Sequence, residues 1–574
     1  MATIRIASSI KIIKTRKKIE IAALLFLMQD ALVSLNMSDE TPMHNIVPLW
    51  PTFTYFPHQI DGIRWMLDKE RNGTAVLDRE GGYKTVYGGF QCDDMGLGKT
   101  VQIVSTMINH PLVKTLLIAP LAMLDTWAAM CMKAGIVVYM IGPSGWELKK
   151  QDGPVMRRKP MKTKIAVYIS NYEKLYRAPS YYRQQWDRVV LDEAHKIRNG
   201  SGEVARCARL LNAPIRWAVT GTPLVNSLKD VVSLLAFIGV PYSPLFTWEP
   251  RYRTMMPYLL LHRSLDSLRS VIKGAPPVPE IHELVLPFIS EAEEEFYEGV
   301  QCGQASAKKG DTAEGGKTVI MEKADALLKK YQHEQLSSIE TFKLLLRLRQ
   351  LSVHPQVYIN AKRRENPAYG RADWVESSTK MAAIKDIMLT DLEDIAQDPV
   401  RVTILPNEDD GVVDVSIKVN TCHKYIIFCQ FHDEMSLLRE FLITEGLAAD
   451  EHILLYHGGL TQSERSAVLQ RSKASDETTV MLLQLQAGGV GLNLQEYDRI
   501  VFMSPWWTSA LMDQAIARAV RMGQTRVVKI YHLNLAVEKD SLLNIDRLIN
   551  EKADQKRKML MNLFSQCNTC ATTV

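Results

Sequence analysis

Apolar residues recur along this chain in two periods that take turns. Short runs of aliphatic and β-branched residues, such as Thr115 to Pro120 (TLLIAP), Ile165 to Ser170 (IAVYIS), Arg188 to Leu191 and Lys424 to Gln430 (KYIIFCQ), have the length and continuous apolarity of buried parallel strands. Between them lie stretches with helical spacing. Phe56 to Glu70 (FPHQIDGIRWMLDKE) places Ile60, Ile63, Met66 and Leu67 on one side, and Val101 to Ile108, Leu121 to Met130, Thr341 to Pro355 and Glu434 to Phe441 follow suit. Strand alternating with helix predicts the α/β class with parallel sheets. The alternation runs through one block, is interrupted by a mixed and mostly helical stretch, and resumes near Ser377. The expected organisation is an extension at 1–50, a first lobe at 51–240, an inter-lobe region at 241–375, a second lobe at 376–550 and a tail at 551–574.

Some segments fit neither period. Cys302 to Thr318 is small, polar and Gly-rich and reads as a mobile loop. Arg401 to Lys418 places two alternating runs around PNEDDG and predicts a hairpin insertion. The N-terminus pairs a basic run, Lys11 to Lys18, with an apolar one that imitates a signal peptide, but Glu20, Gln29 and Asp30 interrupt it and no small-residue cleavage site follows. The run is also too short to span a bilayer, so no membrane association is expected. An amphipathic helix or an extension is the reading, with nuclear targeting by KTRKK as the alternative.

Composition changes this picture little. The 574 residues exceed one ordinary core, since about 150 residues per domain is usual. With 46% apolar and 23% charged residues the chain is globular, and 69 basic against 64 acidic residues leave a net charge of +5. Any nucleic-acid footprint must then be a local stripe, for which Lys149 to Lys164 is one candidate. Of the eight cysteines only Cys567 and Cys570 have ligand spacing, and with no second pair nearby they make a weak zinc signal in an otherwise reduced, intracellular chain.

The chemistry concentrates in three blocks. Asp93 to Thr100 (DDMGLGKT) opens a helix after an apolar and Gly-rich run, the setting of a phosphate cradle. Backbone N–H groups from Asp94 to Thr100 (Asp94, Met95, Gly96, Leu97, Gly98) would face the anion. Lys99 would reach the β/γ-phosphates and the Thr100 hydroxyl would hold Mg²⁺. The generic pattern has Gly where this chain has Asp93, and a Gly-rich helix cap is the competing reading. Upstream, Gln59 carries an amide able to read an adenine edge, though by itself a Gln at a helix start is usually an ordinary surface residue.

The second block is Asp192-Glu193-Ala194-His195 at the end of a buried strand, where ligands of open α/β sheets bind. Asp192 would hold Mg²⁺, usually through water, Glu193 would polarise the attacking water, and His195 would relay nucleotide state to the next loop, ahead of the Thr-Gly-Thr turn of Trp217 to Asn226. A solvated acidic turn is the alternative. The third block, Val480 to Gln524, contains QLQAGGVGLNLQ, with Gly488, Gly489 and Gly491 permitting close backbone approach, and then DQAIARAVRMGQ. Arg518 and Arg521 are three apart and are expected on one helix face, from which they would meet a γ-phosphate as arginine fingers.

DDMGLGKT, DEAH and TGTPLVN, with Gln59 upstream, resemble the first lobe of the Swi/Snf-type DNA-dependent ATPases within helicase superfamily two, a family that normally carries Asp at the Asp93 position. The segment LRLRQ followed by His354-Pro355 resembles the subgroup of post-replication-repair and transcription-termination translocases, although the cysteine pattern of a RING insertion is absent, so ubiquitin-ligase activity does not carry over. Ser504, Thr508, Ser509 and the Ala519-Val520 pair depart from the pattern. The resemblance implies two tandem RecA-like lobes and an ATPase with Mg²⁺ that translocates along double-stranded DNA. Nucleosomes or other DNA-bound proteins would be its targets, and it would work as a monomer in the nucleus, or in host nucleus or cytoplasm if virus-encoded. A strand-separating DNA or RNA helicase, and a transcription regulator using the ATPase fold as a scaffold, are the competing functions.

Overall fold

A computed structural model describes residues 46–77, 82–142, 144–149, 165–240, 250–301, 339–397, 422–475, 477–488, 492–537, 539 and 542–568. Outside them lie most of the N-terminal extension and of the basic run, the Cys302 to Thr318 loop, the expected hairpin, Gly489, Gly491 and Cys570, as well as the side chain of Cys567.

The strands in chain order are β1 (Thr74–Leu77), β2 (Tyr83–Gln91), β3 (Lys114–Ile118), β4 (Val137–Gly142), β5 (Gly145–Leu148), β6 (Ala166–Ser170), β7 (Arg188–Asp192), β8 (Ile215–Val219), β9 (Leu260–Leu261), β10 (Glu280–Leu286), β11 (Lys424–Cys429), β12 (Ile453–Tyr456), β13 (Thr479–Gln484), β14 (Arg499–Phe502) and β15 (Lys529–Leu535). Among the described residues they form two sheets. The first has the order β1-β2-β8-β7-β3-β6-β4-β5, with β9 also on β2, and the second β10-β15-β14-β11-β13-β12. The second sheet is parallel throughout, and the first is parallel except at its edge pairs, β1 with β2 and β4 with β5. Both sheets sit in the compact unit Pro48–Val574.

The apolar runs fold this way because each central strand is covered on both faces. In the first lobe Phe90, Trp186, Val189, Leu191 and Phe237 pack on one face, while Leu117, Trp127, Val190 and Trp217 pack on the other. Gly88 lets β2 and β8 approach: its φ is +97°, and a Cβ there would lie 2.1 Å from the Arg216 carbonyl oxygen. A buried hub locks the sheet to the Pro57–Arg71 helix. Glu70 accepts from Arg188 Nε at 2.6 Å and from Trp217 Nε1 at 2.8 Å, and pairs with His110 Nδ1 at 2.6 Å. Burial alone would push the Glu70 carboxyl up, but Arg188, His110 and Trp217 together hold it below its ordinary range.

The inter-lobe stretch, expected to be mostly helical, also supplies strands to both sheets: β9 extends the first and β10 pairs in register with β15 along the edge of the second. A two-residue strand and an edge strand of alternating exposure are too short or too polar to show as apolar runs. The last helix, Ile545–Asn568, runs across the expected 550/551 boundary. Ile545 and Ile549 pack beside the second lobe, and Leu563 and Phe564 join the core of the first. No helix among the described residues is long and apolar enough to cross a membrane.

Candidate active site

The phosphate loop spans the gap between the end of β2 and the Lys99–Asn109 helix. Gly98 caps that helix with φ +80°, and a Cβ there would lie 2.4 Å from Gln59 Nε2. Lys99 Nζ donates to the carbonyls of Asp93 at 2.7 Å and Asp94 at 3.1 Å. The Leu97 carbonyl pairs with His58 Nε2 at 3.0 Å and accepts from Gln59 Nε2 and Gln102 Nε2, each at 3.4 Å. Gln59 Oε1 meanwhile accepts from the Phe56 N–H at 3.2 Å. The amide expected to read adenine is thus engaged in holding the loop from beneath. Met95 and Thr100 are half-buried and Gly96 is exposed, while Asp94 uses its carboxylate to accept from the Leu265 N–H at 2.9 Å.

Asp93, the departure from the generic pattern, is fully buried. Arg263 grips it with a two-pronged fork, Nε to Oδ1 at 3.0 Å and Nη2 to Oδ2 at 2.6 Å, and Gln91 and Gln102 each donate to Oδ2 at 3.0 Å. Burial raises the proton affinity of this carboxyl, but the Arg263 pairing outweighs it and the net shift is downward. Arg263 also donates to the His58 carbonyl, so one guanidinium ties the chain after β9 to the loop and to the Gln59 helix. No motif in the sequence marks Arg263 for this task, because its partner lies 170 residues away.

Across the crevice, β7 ends in the carboxylate pair. Asp192 accepts from Trp127 Nε1 on Oδ2 at 2.7 Å and from the Glu193 N–H on Oδ1 at 3.0 Å, while Tyr172 donates its hydroxyl to the Asp192 carbonyl at 2.6 Å. Glu193 has φ +50°, the one non-glycine residue with positive φ among the described residues. Its Oε2 lies 3.3 Å from His195 Nδ1, which lies 3.2 Å from Thr220 Oγ1. One imidazole nitrogen therefore faces both the Glu193 carboxylate and the Thr-Gly-Thr turn. Burial and the charge of Glu193 push Asp192 up; Glu193 is itself held down, because His195, Lys99 and Arg518 outweigh its burial.

Arg518 and Arg521 do reach this crevice, but not from a shared helix face. The Ser509–Ile516 helix ends before them, and both lie in the turn that follows. The turn is fixed because Ala519 and Val520 bury into the second-lobe core and the Leu494 N–H donates to the Arg518 carbonyl at 3.1 Å. The arginines face the other way. Arg518 feels the charges of Glu193 and Asp192, and Arg521 Cβ lies 3.9 Å from the place a Cβ would take at Gly96. Burial lowers the proton affinity of both. The last helix crosses the same junction: Lys556 Nζ donates to Trp507 O at 2.8 Å in the second lobe and to Asn226 Oδ1 at 3.2 Å in the first, and Arg557 pairs with Asp513 at 2.7 Å.

Of the expected site residues, those from both lobes converge, and Gly491 lies outside the described residues. The family model for the SNF2-related domain matches residues 58–357, more than half of the chain, and the helicase conserved C-terminal domain matches 410–523. The chain belongs to the SNF2-related family. It is a helicase-like ATPase that acts on DNA. Similar proteins include a "Probable global transactivator" of Orgyia pseudotsugata multicapsid polyhedrosis virus, 26% identical over 89% of this chain and 91% of the relative. "DNA repair protein RAD5B" of Arabidopsis thaliana is 24% identical over 80% of this chain and 44% of the relative. "DNA excision repair protein ERCC-6-like" of Mus musculus is 26% identical over 83% and 40%. This SNF2-family chain thus spans less than half the length of those two repair relatives. The SWI2/SNF2 ATPase core of Sulfolobus solfataricus in complex with dsDNA is 19% identical over 89% of this chain and 97% of that one, with a TM-score of 0.34.

Proposed function

We propose that this ATPase couples hydrolysis to translocation along double-stranded DNA and so displaces bound proteins. The observation that carries the reading is the approach of Arg518 and Arg521, from the second lobe, to Glu193 and Gly96 of the first. A site divided between two lobes is complete only when they close, so chemistry is gated by a conformational step that DNA can bias. Gly96, Leu97 and Gly98 present backbone N–H groups to the phosphates, Lys99 turns from its loop carbonyls to the β/γ-phosphates, and Arg518 and Arg521 meet the γ-phosphate. Glu193 polarises the attacking water, with His195 orienting it and handing the change in charge to Thr220.

The donor set suits a hard divalent cation: Thr100 offers a hydroxyl, and Asp192 a carboxylate that, among the described residues, is bonded only by neutral N–H groups. Thr100 and Asp192 would hold Mg²⁺, which when bound would neutralise charge on the phosphate oxygens.

DNA is gripped at its phosphates on the face away from the nucleotide, which makes binding sequence-independent and salt-sensitive. The near full-length match to a viral transactivator favours a role in transcription, in the nucleus where the template lies, over the repair role of longer relatives. ATPase assays with duplex DNA, single-stranded DNA and RNA, read beside triplex displacement on duplex DNA, test this. Duplex stimulation with displacement is expected, and equal or better stimulation by RNA would overturn it.

A further inference from the structure

Two fully buried tryptophans of the first lobe each spend their single polar atom on a carboxylate, and the two carboxylates differ in what else they hold. Trp217 donates to Glu70, whose charge is already met by Arg188 and His110. Trp127 donates at 2.7 Å to Asp192, whose other side-chain bond comes from a backbone N–H. No cation bonds Asp192 among the described residues, although Lys99 and Arg518 are near enough to be felt. Trp127 itself is completely buried in the first-lobe core, on the Leu124–Lys133 helix that packs on β4 and β6, so its indole cannot swing away. An indole N–H donates and never accepts, so it fixes the plane of the Asp192 carboxylate while leaving the negative charge in place.

We propose that Trp127 is a positioning residue that holds the Asp192 carboxylate in the orientation needed to take the divalent cation of the nucleotide. The inference rests on the reading of Asp192 above and adds a partner 65 positions earlier in the chain. Partners of this kind typically change metal affinity 10- to 100-fold when removed, because they set the direction of the ligand's lone pairs. The indole ring does the packing and the N–H does the aiming, so the two roles come apart when only the N–H is deleted.

The test measures binding of a fluorescent ATP analogue to the full chain, first in EDTA and then across a Mg²⁺ titration, for wild type, Trp127→Phe, Asp192→Asn and the double variant. Trp127→Phe is expected to leave binding in EDTA within about twofold and to raise the half-saturating Mg²⁺ about 10-fold. In the Asp192→Asn background the same change should shift nothing, since the tryptophan acts through that carboxylate. Three results overturn the proposal: an unchanged Mg²⁺ titration, an equal loss of binding in EDTA, or a shift of the same size without Asp192. If Trp127→Phe does not fold, Trp127→benzothienylalanine keeps the ring shape without the N–H and carries the same test. A wild-type chain whose nucleotide binding ignores Mg²⁺ would instead remove the reading of Asp192 itself.

Discussion

Asp93 sits fully buried with Arg263 on both of its oxygens, so replacing it with the glycine of the generic phosphate loop would strand a guanidinium beside Gln91 and Gln102. Removing one partner of a buried pair costs about 3–5 kcal/mol. Asp93→Gly is therefore expected to lower the melting temperature by on the order of 5–10 °C, and calorimetry would show it. Glu193→Gln keeps the shape and removes the carboxylate proposed to polarise the attacking water. ATP binding should persist while single-turnover hydrolysis falls at least about 10²-fold, and hydrolysis retained by this variant would remove Glu193 from that role. Lys99, Thr100, Asp192 and Glu193 stand out in the sequence as candidates because each belongs to a contiguous motif. Arg263 and Trp127 do not, because each acts on a partner far away in sequence, at separations of 170 and 65 residues.

Helices show the same boundary between local and distant information. The Ala-Arg-Ala-Val-Arg run has helical composition, yet the Ser509–Ile516 helix stops short of Arg518 because burying Ala519 and Val520 decides the backbone there. The alternating lobes were legible from period alone, but β9 and β10 depend on neighbours from other parts of the chain. The His432–Thr444 helix carries a prediction of its own. Its capping residue Glu434 accepts from the Gln430 and Phe431 N–H groups at 2.7 and 3.0 Å, yet burial pushes its carboxyl up to about 7 from an ordinary 4.5. An acid whose proton affinity rises on folding contributes stability below its unfolded value and loses it as pH climbs, here between 4.5 and about 7. His354 works the opposite way: burial lowers it from 6.5 to about 4, so its contribution is lost as pH falls through that window. The two slopes oppose each other. Glu434→Gln should raise the melting temperature by a few degrees at pH 8, leave it nearly unchanged at pH 4.5, and steepen the acid loss due to His354. A melting series across pH checks all three.

The whole molecule adds a constraint that no single element carries. The last helix begins beside the second lobe, where buried Asp546 pairs with Lys380 at 2.6 Å, passes the junction at Lys556, and ends with Leu563 and Phe564 in the first-lobe core, Phe564 stacked on His262 at 3.5 Å. It is anchored at both ends, so the proposed closure of the lobes would work against a restraint. Leu563→Ala with Phe564→Ala removes one anchor and should lower DNA-free ATP turnover roughly 2- to 5-fold by reducing the closed population, with saturating duplex DNA restoring most of it; equal loss with and without DNA would mean the anchor serves stability alone.

Arg521 tests whether closure is itself the catalytic event. Its Cβ comes within 3.9 Å of a Cβ position at Gly96 across the lobe boundary, and Ala519 and Val520 fix the turn that carries it whether or not its guanidinium is present. Arg521→Ala should thus leave both lobes folded and duplex binding intact. A finger contributes to charge that develops only in the transition state, so kcat should fall roughly 10³-fold or more with the ATP KM little changed. An arginine that merely helped to hold nucleotide would raise KM and spare kcat. Duplex DNA separates the cases further: if it acts by closing the lobes, it should lose most of its stimulating effect in Arg521→Ala while still binding, because the closed state would then lack the group that closure delivers.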